Sequence, residues 1–440
     1  MRILRQIKRG GYGVVHEVQA ADGTRLGRKS FDPPASDQDE REKLRKRFAR
    51  EVRIQSQIHH PNIMPIIESD LEASPPWFMM PLAQRSFEEE LGNDRANGTV
   101  NVEAWQDVLA AVEELHRLGY VHRDLKPANV LLVEDKWVLA DFGLILPIAR
   151  DTTILTSSRS AYGSHYYAAP EQARDFRNTP EQADIFALGC ILHDAVEQTA
   201  TRVPFAQIRC AGVYGPVLEK CTEPEPNRRF PTIAALRAAL FEVWRTSQFD
   251  APIQRDADLL EAVINNPVSI DKWRNLIVHA ENLPPTERNA LLRSIGVDLL
   301  GHLNGADSAL FGRLMDLICE WVAGTGFEWA YCDVVGDRLL EVYAVSPIRI
   351  RCHVVLSALE LAVSHNRWHV MNQVGSMLGQ TADNGLVDRI LIELNLDSTI
   401  ESRLRRVEDA VHWSRDRWHT KIADFLNKRD SAASSPDPDF

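Results

Sequence analysis

Val121-His122-Arg123-Asp124-Leu125-Lys126-Pro127-Ala128-Asn129-Val130-Leu131 is dense in polar groups yet flanked by apolar, strand-like residues. Asp141-Phe142-Gly143 begins ten residues after Leu131, and Ala169-Pro170-Glu171 closes a long stretch with little periodicity. A structureless segment of about 30 residues inside a compact domain is usually functional or disordered. Upstream, Ile7-Lys8-Arg9-Gly10-Gly11-Tyr12-Gly13-Val14-Val15 reads as a glycine-rich hairpin between two strands. Glycines let a backbone approach phosphates closely, and an apolar residue just beyond can cover an adenine. Lys29 falls on the next predicted strand, Arg25–Phe31. Glu51 falls on a charged helix from about Asp37 to Ile58, where Leu44, Phe48 and Val52 recur every four residues. Taken singly, the hairpin is a turn, the lysine a solvated strand residue and the glutamate a surface i,i+4 partner.

Taken together, HRDLKPAN, DFG and APE, in this order after Gly10–Gly13, Lys29 and Glu51, change that reading. The chain resembles the eukaryotic-like (Hanks-type) protein kinases over about residues 3–245. The resemblance implies an α+β, bilobal protein-kinase fold, with a small β-rich N-lobe and a helical C-lobe. It also implies ATP as phosphoryl donor and Mg2+ (or Mn2+) as cofactor. Lys29 would hold the α- and β-phosphates and be fixed by an ion pair to Glu51. Asp141 and Asn129 would supply hard oxygen ligands to the metal. Asp124 would orient the acceptor hydroxyl and take its proton, and Lys126 would neutralise the transferring phosphate. Ile7, Gly10, Gly11, Gly13, Val15, Gly27, Met80, Pro81, Ala83 and Leu131 would complete the ATP pocket. Lys126 within HRDLKPAN, and Ser164 before APE, match the serine/threonine branch.

Supporting positions agree. His60-Pro61-Asn62-Ile63 follows the Glu51 helix, and Ile66, His122 and Phe142 would stack between the lobes. Asp184 would anchor the catalytic-loop backbone, and Arg229 would pair with Glu171. Four positions depart from the family pattern. Lys8 replaces the first loop glycine, and Gly27 leaves the adenine roof one methyl roomier. Gln55 puts an amide where an apolar side chain is usual, so the helix is expected to be held less firmly. Pro81 follows the gatekeeper position Met80 and removes an N–H while keeping its carbonyl. No phosphate, metal or base residue is missing. A pseudokinase scaffold that binds nucleotide without transfer is therefore the alternative rather than the leading expectation.

Arg123 precedes Asp124, and in the family this arginine commonly pairs with a phosphorylated activation-segment residue. Ser160 is the leading candidate for autophosphorylation, followed by Ser158 and Thr156; transfer between two copies would need a homodimer. The 440 residues carry a net charge of -12, of which -4 falls in residues 1–250 and -8 in 251–440. That balance argues against nucleic-acid or anionic-membrane partners, which need a basic excess. No apolar run approaches the roughly 18–20 residues of a membrane span. The six cysteines form no CxxC pair, as expected for reduced thiols and a cytoplasmic location. The expected organisation is a kinase domain over 1–245, a linker over 246–255, an all-helical domain over 256–428 and a disordered tail over 429–440. Stacked helix pairs are expected in the helical domain, although no strict repeat period is visible. Its expected role is substrate recruitment, partner binding or signal sensing.

Overall fold

β1 (Arg2–Arg9) and β2 (Gly13–Gln19) pair antiparallel across the glycine-rich turn, which Gly10 N–H closes onto the Gly13 carbonyl at 2.8 Å. The computed structural model describes residues 1–10, 13–34, 37–97, 99–147, 166–176, 178–197, 202–249 and 254–433. β3 (Arg25–Phe31) follows, and with β4 (Glu68–Asp70) and β5 (Trp77–Pro81) it completes a five-stranded sheet of order β1-β2-β3-β5-β4. α1 (Gln38–Gln55) lies against this sheet. The Asp37 side chain caps its first turn by accepting from Glu40 N–H, and Asp39 and Glu40 there suit the positive end of the helix dipole. The predicted Leu44-Phe48-Val52 stripe meets Phe31 and Phe78 in one buried cluster. Phe48 sits 5.7 Å from Phe31 and 5.6 Å from Phe78, ring centre to ring centre.

The two candidate glycines of this sheet differ in what they demand. A Cβ on Gly13 would collide with the Ser30 carbonyl oxygen of β3, whereas one on Gly27 would rest 3.4 Å from the Met80 side chain. Gly13→Ala is therefore expected to cost about 1–3 kcal/mol through overpacking. Gly27→Ala is expected to stay within about 1 kcal/mol of the parent. Chemical unfolding of the two variants side by side checks the contrast.

The chain continues through β6 (Arg85–Ser86), α2 (Phe87–Asn97), α3 (Val102–Arg117), β7 (Tyr120–Val121), β8 (Val130–Val133), β9 (Lys136–Leu139) and β10 (Leu146–Pro147). The last strands form two small antiparallel ladders, β6-β8-β9 and β10-β7. α4 (Pro170–Arg174), the almost wholly buried α5 (Gln182–Val196), α6 (Gly215–Cys221) and α7 (Ile233–Phe249) follow.

The chain divides into two compact units, Met1–Ile208 with Leu218–Arg237, and Arg209–Val217 with Ala238–Phe440. The division runs through α6 and α7, whereas composition places the break at 246–255. Within the second unit, Arg209 reaches both Asp298 and Glu341 at 3.1 Å, and Gly212 N–H bonds the Ser294 carbonyl at 2.9 Å. These bonds explain why a short segment well before residue 246 belongs there.

The rest of the second unit is α8 (Gln254–Asn265), α9 (Ile270–Asn282), α10 (Pro285–Ser294), α11 (Val297–Ala306), α12 (Ser308–Gly324), α13 (Tyr331–Val345), α14 (Ile348–Ser364), α15 (Trp368–Met377), α16 (Asn384–Leu396), α17 (Ser398–Val411) and α18 (Thr420–Ala433). α18 carries the fold past Arg429, so helix occupies the first residues of the expected polar tail. Alternate helices stack in two rows, α9-α12-α14-α16 and α11-α13-α15-α17. Polar side-chain contacts tie each row: the ion pairs Glu281–Arg313 at 2.6 Å, Asp316–Arg349 at 3.2 Å and the buried Asp333–Arg367, and the Asp337–His369 hydrogen bond at 2.8 Å. Their partners stand 32, 33, 34 and 32 residues apart, the register of stacked helix pairs. Trp273, Trp321, Trp413 and Trp418 are buried here, while Trp329 and Trp368 are exposed. Among the described residues no helix is long and apolar enough to cross a membrane, and the six cysteines are free.

Candidate active site

Lys29 stands on β3 directly opposite Val15 of β2, the strand that begins at Gly13. Its Nζ donates to Glu51 Oε1 at 2.7 Å and to Asp141 Oδ1 at 3.2 Å. One ammonium thus joins the sheet, α1 and the segment after β9. Burial works against the Lys29 charge, but Asp141 and Glu51 together raise its pKa. Burial pushes Glu51 up, against the pull of Lys29. Burial would also raise Asp141, yet Lys29 and then Lys126 hold its carboxyl down at about 2. Asp141 is therefore ionised throughout the working pH range, and its side chain remains 40% exposed. An ionised, accessible carboxylate fits a hard divalent cation.

The HRDLKPAN segment is fixed from beneath. Asp184 of α5 accepts from His122 N–H and Arg123 N–H, both at 2.9 Å, and His116 Nε2 donates to it at 2.9 Å. These bonds hold Arg123 at φ 68°, and Asp141 sits at φ 63°. Both are left-handed conformations that cost of order 1–3 kcal/mol each unless the surroundings over-determine them. Above this base, Lys126 Nζ donates to Asp124 Oδ2 at 2.7 Å, and Asn129 Nδ2 donates to the Asp124 carbonyl at 2.9 Å and to its Oδ2 at 3.2 Å. With its nitrogen so engaged, the Asn129 side-chain oxygen is the atom left for a cation. Ala140 N–H bonds the Asn129 carbonyl at 2.8 Å, which places Asn129 beside the residue preceding Asp141.

The remaining pocket residues gather as follows. Gly27 opposes Met80 and Leu26 opposes Pro81 across the β3–β5 ladder. Met80 and Leu131 pack on the buried Met64-Val138-Ala140 cluster. Ala83 and Val15 are half-buried, and Ile7 and Gly10 are exposed. Gly11, Thr156, Ser158 and Ser160 lie outside the described residues. Three of the four inter-lobe column positions are apolar or aromatic, and His122 meets Phe142 edge-on at 5.5 Å. The fourth, Gln55, is half satisfied, its Oε1 having no hydrogen-bond partner among the described residues. It is buried, and its Nε2 donates to the Met64 carbonyl at 2.7 Å, tying the helix end to the chain that enters β4.

Glu171 and Arg229 pair through two bonds of 2.6 and 2.8 Å, with the arginine side chain fully buried. Arg123 donates Nη2 to the Thr179 carbonyl at 3.2 Å. Burial, reinforced by Arg50 and opposed by Asp184, lowers its guanidinium to about 10. Sequence reading missed two supports. Gln172 bridges Ala169 N–H and the Arg123 carbonyl at 2.9 Å each, and His116 buttresses Asp184 from 68 residues away. Neither has a local signal, since both depend on how α3, α4 and α5 pack.

A protein-family model described as protein kinase domain matches residues 1–225, just over half of the chain. Serine/threonine-protein kinase AfsK of Streptomyces griseus is 32% identical over 192 residues, covering 43% of this chain and 23% of that protein. Probable serine/threonine-protein kinase PknB of Lactococcus lactis is 30% identical over 214 residues, 46% of this chain and 32% of that protein. Serine/threonine-protein kinase PknB of Mycobacterium tuberculosis is 24% identical over 314 residues, 65% of this chain and 50% of that protein. The chain thus spans about a quarter to a half of the length of these relatives. The matched motifs and the site geometry converge on one assignment: the chain belongs to the protein kinase family, in its eukaryotic-like (Hanks-type) serine/threonine group.

Proposed function

We propose that the chain transfers the γ-phosphoryl group of ATP to serine and threonine hydroxyls of proteins. The observation that carries this reading is the joint placement of Lys29 between Glu51 and Asp141, with Asp124 held by Lys126 and Asn129. Lys29 binds the α- and β-phosphates. Asp124 orients the acceptor hydroxyl and takes its proton as the new P–O bond forms and ADP leaves. Lys126 stabilises charge on the moving phosphoryl group. Asp141 and Asn129 are the residues that would hold a divalent cation, Mg2+ or Mn2+. When bound, that ion offsets the negative charge of the phosphate oxygens. The roof and hinge of the ATP pocket are Ile7, Gly10, Gly11, Gly13, Val15, Gly27, Met80, Pro81, Ala83 and Leu131. At Pro81 the carbonyl acceptor survives although the N–H does not.

The helical unit recruits a substrate or senses a signal, and the kinase unit phosphorylates its own activation segment at Ser160, Ser158 or Thr156 between two copies. A cytoplasmic setting suits the free cysteines. The test uses the intact chain with γ-labelled ATP, Mg2+ and casein, followed by acid hydrolysis of the products. Label on phosphoserine and phosphothreonine is expected. Label confined to phosphotyrosine, or none on either protein, would overturn the reading.

A further inference from the structure

Position 8 carries a lysine where the glycine-rich turn would have its first glycine. The tight approach in this hairpin falls elsewhere, at Gly13, whose missing Cβ makes room for the Ser30 carbonyl oxygen. Position 8 can therefore hold a side chain, and Lys8 is exposed.

Strand register decides which way that side chain leaves the sheet. Lys8 is the partner of Val15 across β1 and β2, and Val15 is the partner of Lys29 across β2 and β3. The β1 register slips between Gln6 and Lys8, and the extra residue is Ile7, so Lys8 still opposes Val15. Directly opposed residues of antiparallel neighbours present their side chains to one face. Lys8, Val15 and Lys29 thus form a row on a single face, the one from which Lys29 reaches Glu51 and Asp141. The other face carries Arg28, whose guanidinium stands 4.6 Å over the Trp77 ring. With strands about 4.8 Å apart, Lys8 starts about 10 Å from Lys29, with only Val15 between them.

Charge then separates Lys8 from its neighbours. Arg5 Nε donates to Glu17 at 2.7 Å, and Arg9 Nη2 donates to Asp32 Oδ2 at 2.6 Å. Among the described residues the Lys8 ammonium has no carboxylate partner. The site itself is short of positive charge: Lys29 and Lys126 face three carboxylates, Glu51, Asp124 and Asp141. A polyanionic phosphate chain entering there gains from one more cation. A lysine suits this task, since its flexible four-carbon stem carries a compact point charge.

We propose that Lys8 binds the phosphate chain of the nucleotide: its ammonium swings over Val15 and serves as a second cation beside Lys29. This rests on the ATP-dependent kinase reading given above. The contact is exposed, so its effect is modest and screened by salt. Lys8→Gln is expected to raise Kd for ATP and for ADP about fivefold at low ionic strength. Near 1 M salt the difference is expected to shrink below about twofold. Adenosine, which has no phosphate, should bind the variant within about twofold of the parent. Lys8→Arg keeps the charge and should stay within about twofold of the parent for all three ligands.

The experiment is calorimetric titration of the intact parent and these variants with ATP, ADP and adenosine, Mg2+ being present throughout. A loss that needs the phosphates, follows the charge and fades with salt supports the proposal. Should Lys8→Gln not fold, Lys8→Gly is judged by the same criterion. Unchanged ATP affinity in Lys8→Gln, equal losses for ATP and adenosine, or an Arg variant as weak as the Gln variant overturns it. In the first of these cases a parent that binds ATP and labels casein keeps the kinase reading. A parent that binds none of the three ligands removes that reading and the proposal with it.

Discussion

Replacing Lys29 by Met is expected to lower phosphoryl transfer by about 10²–10³-fold, the cost of removing one preorganised charge from a reacting centre. The same change should invert how stability responds to pH. In the parent, Asp141 is depressed from 3.8 to about 2, so its contribution is fully present above about pH 4 and is lost as the pH falls through 2. Lys29 is raised, so its contribution is present below the ordinary lysine range and lost only as the pH climbs beyond it. Without the lysine, burial and the neighbouring Asp141 charge push up Glu51, whose side chain is 1% exposed, while Asp141 still feels Lys126. Glu51 then favours the protonated form, and stability falls as the pH rises above about 4–5. Breaking one side of a buried pair costs about 3–5 kcal/mol. Thermal unfolding at pH 5 and pH 8 should show a clearly larger loss at pH 8. Adding Glu51→Gln should recover part of the stability and none of the activity. An equal loss at both pH values would contradict this account of the triad.

The second large effect is expected in the helical unit. Arg293 is 1% exposed, with its guanidinium 3.3 Å from Glu242 Oε1 and 4.6 Å over the Tyr331 ring. Glu242→Ala leaves that charge buried without its carboxylate and should cost about 3–5 kcal/mol. The paired change Glu242→Leu with Arg293→Met removes both charges and should return most of the loss, because the desolvation penalty disappears with them. Urea unfolding of the three chains, followed by tryptophan fluorescence, measures this. A single variant that loses less than about 1 kcal/mol would show that the pair adds little to this unit.

The kinase unit was legible because its chemistry demands particular residue types in a fixed order. Lys29, Glu51 and Asp141 come from three places in the chain and are bonded to one another, and Asn129 is bonded to Asp124 within its own motif. The Leu44-Phe48-Val52 stripe likewise found its partners on the sheet. At Gln55 sequence shows the polar side chain but not the Met64 carbonyl that answers its Nε2. In the helical unit the hydrophobic pattern announced helices, and stacked pairs were expected of them, but it did not say which helix stacks on which. The stacking register lies in ion pairs 32–34 residues apart, and varying helix and loop lengths hide it from a search for strict periods. The boundary through α7 had no compositional mark, because a helix shared by two units reads as one amphipathic segment.

The central claim is that Asp124 takes the proton while Lys29 and Asp141 serve the nucleotide, and Asp124→Asn tests it most directly. An amide keeps the shape of the side chain and its contacts with Lys126 and Asn129 in part, but cannot accept the hydroxyl proton. Measured beside the parent with γ-labelled ATP, Mg2+ and casein, the variant should bind ATP within about twofold of the parent and transfer label about 10²–10⁴-fold more slowly. Transfer by Asp124→Asn at the parent rate, or equal inactivity of both chains, would contradict the account.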